Sequence, residues 1–299
     1  MTKVWFVTGS SRGFGRRFVE AALGRGDAVA ATARDVDSLT DLTRTYGDAV
    51  LPLALDVTDR SAVFAAVQRA HDHFGRLDVV VNNAGYGLFG TVEEITEEQV
   101  RAQLETNLFG ALSVTQAALP HLRAQGSGHI VQISSVSGVV AFPMLGGYHA
   151  SKWALEGLSD ALAQEVAAFG IKVTLVEPGG YATDWAGSSA VFAAPLPAYD
   201  GLRAGMFSGG APEVADPAAA GAALLKIVDA EEPPLRVVFG RQPGGLVAHV
   251  YGERLKTWSD WAELSAEAEQ PLAAPDPAPA SVDSGAPASV AREAVATAG

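Results

Sequence analysis

Cysteine is absent from the 299 residues. That absence excludes disulfides, thiol nucleophiles and cysteine-ligated zinc, and it leaves the redox compartment open. The six histidines are scattered. His71 and His73, two apart on an expected helix, face different ways, so no metal is expected. Positive charge is also scarce: 21 Lys and Arg stand against 34 Asp and Glu, a formal charge of −13. A surface of that sign releases no counterions from a phosphate backbone, which excludes nucleic acid as a partner. No run of 18 apolar residues exists, and "VWFV" near the start is too short for a signal-peptide core before "TGSSRG" interrupts it. No membrane partner is expected, and the cytoplasm is the expected location.

What is abundant is apolar residues, 48% of the chain, enough to fill a sizeable core. They fall in short runs: "KVWFVT" (3–8), "AVAATA" (28–33), "AVLPLAL" (49–55), "LDVVVNN" (77–83), "HIVQISS" (129–135), "IKVTLVE" (171–177) and "LRVVFG" (235–240). Nearly continuous apolar runs of this length suit strands buried on both faces of a parallel sheet. Helical patterns fill the gaps: one from about Gly13 to Arg25, one capped by Thr58 and running to Phe74, and a long one from the Thr96/Gln99 capping box toward Gln125. Strand, crossover helix and strand in repetition predict an α/β fold, a doubly wound parallel sheet of the Rossmann type. The expected domain spans 1–269. Within it, the Gly-, Ala- and Pro-rich stretch at about 184–217 is too long for an ordinary connection and reads as a lid. The tail at 270–299 has the Ala- and Pro-rich composition of a disordered segment.

Directly after the first strand comes "TGSSRGFG", with Gly9, Gly13 and Gly15 at the turn into a helix. Glycines permit a tight turn and let backbone N–H groups approach a pyrophosphate at the positive end of a helix. Ser11, Arg12 and Phe14 belong to the same loop, so the whole stretch is a candidate dinucleotide site. The second strand ends at Ala33, where an acidic residue would hold the adenosine ribose and select NAD. Arg34 follows instead, and with Arg12 it offers two guanidiniums suited to the 2′-phosphate of NADP. Asp35, one place on, is a counter-signal. The expected cofactor is NADP(H). Further along, "YHASK" places Tyr148 and Lys152 at i and i+4, on one face of a helix, where phenol and ammonium lie side by side or reach one bound molecule.

Together these elements resemble the short-chain dehydrogenase/reductase family over about residues 3–240. The family's glycine motif is matched from Thr8 to Gly15, its Asp after the third strand by Asp56, and its Asn-Asn-Ala-Gly by Asn82 to Gly85. Its helix asparagine is matched by Asn107, its serine by Ser135, thirteen residues before Tyr148, and its Pro-Gly with a later threonine by Pro178, Gly179 and Thr183. "NAGYGLFG", "YHASKWALEGL" and "EPGGYATDW" are similar to the branch that includes 17β-hydroxysteroid and retinol dehydrogenases and many bacterial oxidoreductases. The resemblance implies cofactor contacts from Asp56, Val57, Asn83, Ala84, Gly85, Pro178 and Gly179, with Thr183 at the nicotinamide carboxamide. It also implies Tyr148 as acid/base, Lys152 on the nicotinamide ribose, and Asn107 holding a water that passes protons to Lys152. A homodimer or homotetramer, built from helices at 100–125 and 147–169, is expected as in the family.

The chemistry suits these groups. A phenol near pKa 10 is a reluctant base, and an ammonium close by is expected to lower it by about 1 to 3 units. Ser135, at a strand end, can hydrogen-bond the substrate oxygen. The loop "VVAFPMLGG" with Tyr181, Trp185, Phe192, Tyr199 and Phe207 predicts an apolar pocket for a medium-sized hydrophobic ketone, aldehyde or alcohol. A non-catalytic dinucleotide-binding sensor is the alternative, and the retention of Asn107, Ser135, Tyr148 and Lys152 argues against it.

Overall fold

The computed structural model describes residues 2–207 and 214–269, in which residues to Glu253 make one compact unit and those from Arg254 a second. The expected tail at 270–299 and the part of the expected lid at 208–213 lie outside the described residues.

In chain order the first unit runs β1 (Val4–Val7), α1 (Gly13–Gly24), β2 (Ala28–Ala33), α2 (Thr40–Tyr46), β3 (Val50–Ala54), α3 (Arg60–Phe74), β4 (Val79–Asn82), β5 (Leu88–Phe89), α4 (Glu97–Leu104), α5 (Ala111–Gln125), β6 (Gly128–Ile133), α6 (Gly146–Val166), β7 (Ile171–Pro178), β8 (Val191–Phe192), α7 (Asp200–Phe207), α8 (Ala218–Asp229), β9 (Arg236–Phe239) and the start of α9 (Gln242–Asp260). The second holds the end of α9 and α10 (Ala262–Glu267). All seven strands expected from the apolar runs form one parallel sheet, in the order β3-β2-β1-β4-β6-β7-β9. Every residue of β1 is buried, as is every residue of β4, which is why their sequences show no polar alternation. One face of the sheet packs on α3, α5 and α6 through residues such as Val67, Val114, Leu122 and Leu162. The other packs on α1, α2 and α8 through Phe18, Leu23, Leu42 and Leu224. Burying each such side chain contributes roughly 1.5–3 kcal/mol.

The strand order reverses direction between β1 and β4, so the chain leaves a crevice at their carboxyl ends, the place where open α/β sheets bind ligands. Trp5 anchors the opposite end of β1: its indole N–H donates to Asp27 Oδ2 at 2.8 Å inside the core.

Two helix expectations change in detail. Asp59, not Thr58, caps α3, accepting from the Ala62 amide at 3.0 Å. Thr58 instead donates its own amide and hydroxyl to Asp56 Oδ1, because a carboxylate one residue nearer the helix outcompetes the hydroxyl. The Thr96/Gln99 capping box is formed, but the long helix it opens is interrupted by a π turn at Glu105–Gly110 before α5 resumes. A π turn inserts one extra residue and re-aims the side chains around it. Gly110 ends that turn against Val57, whose Cγ2 would lie 2.8 Å from any added Cβ.

Helix α8 lies directly on α1 at Gly221, where a Cβ would meet Ala21 Cβ and Arg17 O, both at 2.7 Å. One of those atoms is backbone and cannot rotate away. Gly221→Ala should therefore lower the stability of the fold by about 1–3 kcal/mol, read as a lower urea midpoint at unchanged slope. An unchanged midpoint would show that the two helices separate freely.

Candidate active site

The cradle after β1 is built on backbone proximity. A Cβ on Gly15 would stand 2.2 Å from Gly9 O and 2.4 Å from Asn83 Nδ2; on Gly9 it would stand 3.1 Å from Ala84 Cα. Gly9 and Gly13 also have φ of 68° and 57°, the left-handed region that glycine enters without strain. Asn83 holds the loop from below, its Nδ2 donating to Thr8 O at 2.9 Å and Gly9 O at 3.1 Å. Its amide and that of Ala84 both donate to Thr8 Oγ1, at 2.9 and 3.0 Å. Helix α1 has no side-chain cap and no acidic residue in its first turn, so its positive end stays available to an anion. This cradle fits the pyrophosphate of a dinucleotide.

Around it, the side chains of several predicted cofactor residues have structural partners. The Phe14 ring stacks on Phe18 at 5.8 Å and meets Tyr181 edge-on at 4.9 Å, which takes Tyr181 away from the expected pocket. Arg34 is exposed at the end of β2 with no ion-pair partner among the described residues. Asp35, the counter-signal, accepts from the Asp37 amide at 3.1 Å and so caps the next turn. Arg12 bridges the glycine loop to the lid: it donates to Ser188 Oγ at 3.1 Å and Ser189 Oγ at 2.6 Å and pairs with Asp184 at 3.0 Å. Thr183 comes within 3.6 Å of where a Gly13 Cβ would be, and Gly179 is fixed by its amide on Phe239 O at 3.0 Å.

At the carboxyl end of β6 the structure gathers all four predicted catalytic residues. Lys152 is buried and donates to Ile133 O at 2.7 Å; its Nζ lies 5.9 Å from the centre of the Tyr148 ring. An added Cβ on Gly85 would meet Asn107 Oδ1 at 3.0 Å and Lys152 Nζ at 3.8 Å, which puts these three side by side. Asn107 sits in the π turn, 1% exposed. Its Oδ1 accepts from the Tyr86 amide at 3.1 Å, and its Nδ2 donates to Tyr86 O and Ser151 Oγ, both at 3.1 Å. Both amide protons are thus engaged. Ser135 accepts from the Ser137 amide at 3.1 Å and donates to Pro178 O at 3.4 Å.

Electrostatics at Tyr148 differ from the sequence expectation. Burial pushes the phenol up to about 12; the nearby polar groups of Ser135 and Trp185 oppose it, and the lysine's charge is not among the causes. Burial likewise pushes Lys152 down to about 8, against the attraction of Glu156 one turn later on α6. Desolvation outweighs ion pairing because both groups are enclosed by protein. Behind the lysine, Glu156 and Glu177 are buried carboxyls held by Arg236, at 3.1 and 3.7 Å, and burial raises both.

Two residues without an expected role now have one. Ser151 donates to Tyr148 O at 2.7 Å while accepting from Asn107, so it ties the π turn to α6. His149 accepts from the Phe142 amide at Nε2 (2.8 Å), which leaves Nδ1 to donate to Ser137 O (2.9 Å), and it thereby pins the loop that follows Ser135. Neither signal is visible in one sequence, because His149 depends on a loop folding back onto the helix and Ser151 on a second helix packing against it.

From Asp184 to Phe207 the expected lid is hydrogen-bonded structure. Strand β8 pairs parallel with β5, which the sequence reading missed because each is only two residues long. Trp185 lies 5.1 Å from the Tyr148 ring and 5.0 Å from Phe89, and Phe192 stacks on Phe89 at 4.9 Å. Tyr199, expected in the pocket, instead donates to Glu93 Oε2 at 2.6 Å. The side chain of Phe207 lies outside the description. Glu94 anchors the segment: the amides of Leu196 and Thr91 and the Arg203 guanidinium hold its carboxyl down at about 2.

The sequence profile described as short chain dehydrogenase matches residues 3–191. The chain belongs to that family, whose members are oxidoreductases with a nicotinamide-dinucleotide fold. An oxidoreductase of Botryotinia fuckeliana is 46% identical over 274 residues, covering 89% of this chain and all of the relative. A short-chain dehydrogenase from Streptomyces avermitilis, 38% identical, superposes with a TM-score of 0.84 over 90% of this chain and 99% of its own. Another, from Burkholderia cenocepacia in complex with NADP, is 26% identical with a TM-score of 0.69, over 87% and 97%. No helix among the described residues is long and apolar enough to cross a membrane.

The Glu94 anchor has a defined pH dependence. Its carboxyl lies below the ordinary 4.5, so the stability it lends the lid is complete above about 4.5 and is lost as pH falls toward 2. Hydrogen exchange at the Leu196 amide, corrected for its intrinsic rate, should accelerate over that window, and Glu94→Gln should produce the same loss at neutral pH. Unaltered protection in both would remove Glu94 as the anchor.

Proposed function

We propose that this chain is an NADP(H)-dependent oxidoreductase that interconverts a ketone or aldehyde with an alcohol on a medium-sized hydrophobic substrate. The observation that carries the reading is the convergence of Ser135, Tyr148, Lys152 and Asn107 beneath Trp185 and Phe89, beside a glycine cradle that fits a dinucleotide. Gly9, Ser11, Gly13 and Gly15 would hold the pyrophosphate, and Lys152 the nicotinamide ribose. Arg34 is free to take a 2′-phosphate, and Arg12 can join it by leaving Asp184. The NADP carried by the Burkholderia cenocepacia relative supports the same choice.

Bound there, the nicotinamide supplies or accepts a hydride at the substrate carbon. Tyr148 gives its phenolic proton to the oxygen that becomes negative in reduction and recovers one in the reverse direction. Ser135 donates to that oxygen and stabilises the charge on it. Lys152 keeps an ammonium beside the phenolate as it forms. Asn107 has both amide protons engaged, so any water it holds must donate to its oxygen. The aromatic side chains of Trp185 and Phe89 beside the phenol favour apolar substituents. A cytoplasmic homodimer or homotetramer completes the reading.

A panel of ketones, aldehydes and alcohols with NADPH and with NADH separately tests it. Turnover of hydrophobic carbonyls with higher kcat/KM for NADPH is the expected result. NADPH binding with no turnover across the panel would favour a dinucleotide sensor, and preference for NADH would remove the arginine argument. Tyr148→Phe should keep NADPH binding and lose about a hundredfold or more in kcat. Lys152→Ala should lose both affinity and rate.

A further inference from the structure

The indole of Trp185 is placed more closely than a pocket wall requires. Its Nε1 is buried and meets no acceptor with hydrogen-bond geometry. Its ring lies 5.1 Å from that of Tyr148, tilted by 55°, and it is near enough to the phenol to favour the ionised form. The chain reserves space for it. A Cβ on Gly87 would come within 2.8 Å of Trp185 Cε2 and 2.9 Å of its Nε1, although Gly87 has no left-handed φ to demand glycine. On either side the lid is fixed. Asp184 accepts from the amides and hydroxyls of Ser188 and Ser189 and pairs with Arg12, and the Val191 amide donates to Gly87 O at 2.9 Å.

A buried polar group without a partner costs about 1–3 kcal/mol, so its persistence calls for an explanation. An indole N–H is a donor only. It can stabilise negative charge on a nearby oxygen but cannot take the proton. The one nearby oxygen that changes charge is that of Tyr148. We propose that Trp185 is a further catalytic residue, whose N–H closes on the Tyr148 oxygen when that oxygen becomes a phenolate, as a second side-chain donor beside Ser135. The inference rests on the acid/base reading of Tyr148. It moves no proton or electron by itself; it lowers the energy of the ionised phenol while the proton is on the substrate. Thr8, Asn83 and the cradle take no part. The titratable groups nearest the phenol are Lys152, whose Nζ lies 5.9 Å from the ring centre, and His149, ring to ring at 6.4 Å, both on α6; Glu156 acts on Lys152 from one turn beyond.

Trp185→Phe keeps the ring and removes the donor; Gly87→Ala keeps the indole and displaces it. For both, the pH dependence of kcat is measured in alcohol oxidation, using the alcohol of the ketone reduced fastest in the panel. The expected result is a rise of about one unit in the kinetic pKa and a fall of about tenfold in kcat at neutral pH, with little change in KM. Higher KM with an unshifted profile would make Trp185 a wall of the pocket and overturn the proposal. A second readout needs no turnover: in nitrogen-15 spectra of the protein alone, the Trp185 indole resonance, assigned from its loss in Trp185→Phe, should shift with rising pH as Tyr148 ionises, and should not do so in Tyr148→Phe. A resonance that stays in place would also overturn it. Near-normal turnover by Tyr148→Phe would overturn the acid/base reading and this proposal together. Loss of turnover there, with an unshifted Trp185→Phe profile, would overturn this proposal alone.

Discussion

One hydroxyl joins the two halves of the site. Thr8 Oγ1 accepts the amides of Asn83 and Ala84 and donates to Val81 O at 3.3 Å, locking the end of β1 to the end of β4 where the sheet order reverses. On one side of this junction, Asn83 returns two hydrogen bonds to the glycine loop and fixes the gap that admits only Gly9 and Gly15. On the other, Gly85 packs against Asn107 and Lys152, and the Tyr86 backbone takes both ends of the Asn107 amide. Cradle and catalytic cluster are therefore placed by the same backbone segment.

The second constraint is dryness. Tyr148 and Lys152 are drawn together on α6 as their spacing requires, but in this enclosed site burial acts on both in the direction of neutrality. Proximity of opposite charges does not by itself activate a phenol, because the medium that strengthens their attraction also penalises each charge. Donors that carry no net charge escape that penalty. Ser135 and the lid residue Trp185 carry such donors beside the phenol, and on the proposed reading both favour the phenolate. On the proposed reading the lid belongs to the chemistry as well as to the enclosure, and its link to the glycine loop through Arg12 and Asp184 ties its position to the cradle.

The sheet was legible because strands buried on both faces write themselves as unbroken apolar runs, as "VWFV" and "VVVN" do. Tyr148 and Lys152 were legible as a pair from their i, i+4 spacing, and Ser135 and Asn107 through the family resemblance. The rest depended on contacts that no local pattern encodes. Asp59 and Thr58 compete for one cap, and only geometry chooses the carboxylate. A π turn of one extra residue leaves no periodic trace. The β5 and β8 strands are too short to show alternation, and Tyr181 and Tyr199 were drawn from the pocket by Phe14 and Glu93, partners remote in sequence. His149 and Ser151 looked inert inside "YHASK" because their partners lie on a loop and on another helix.

If the junction at Thr8 carries the site, removing its acceptor while keeping its shape must disturb both halves. Calorimetric titration of Thr8→Val with NADPH is the most direct measurement. Two amides lose their partner in this change, so affinity is predicted to fall about tenfold or more, with the folded state weakened by about 1–3 kcal/mol. NADPH affinity equal to that of the unaltered protein would contradict the account, because the glycine cradle would then hold its shape without the strand-to-strand lock.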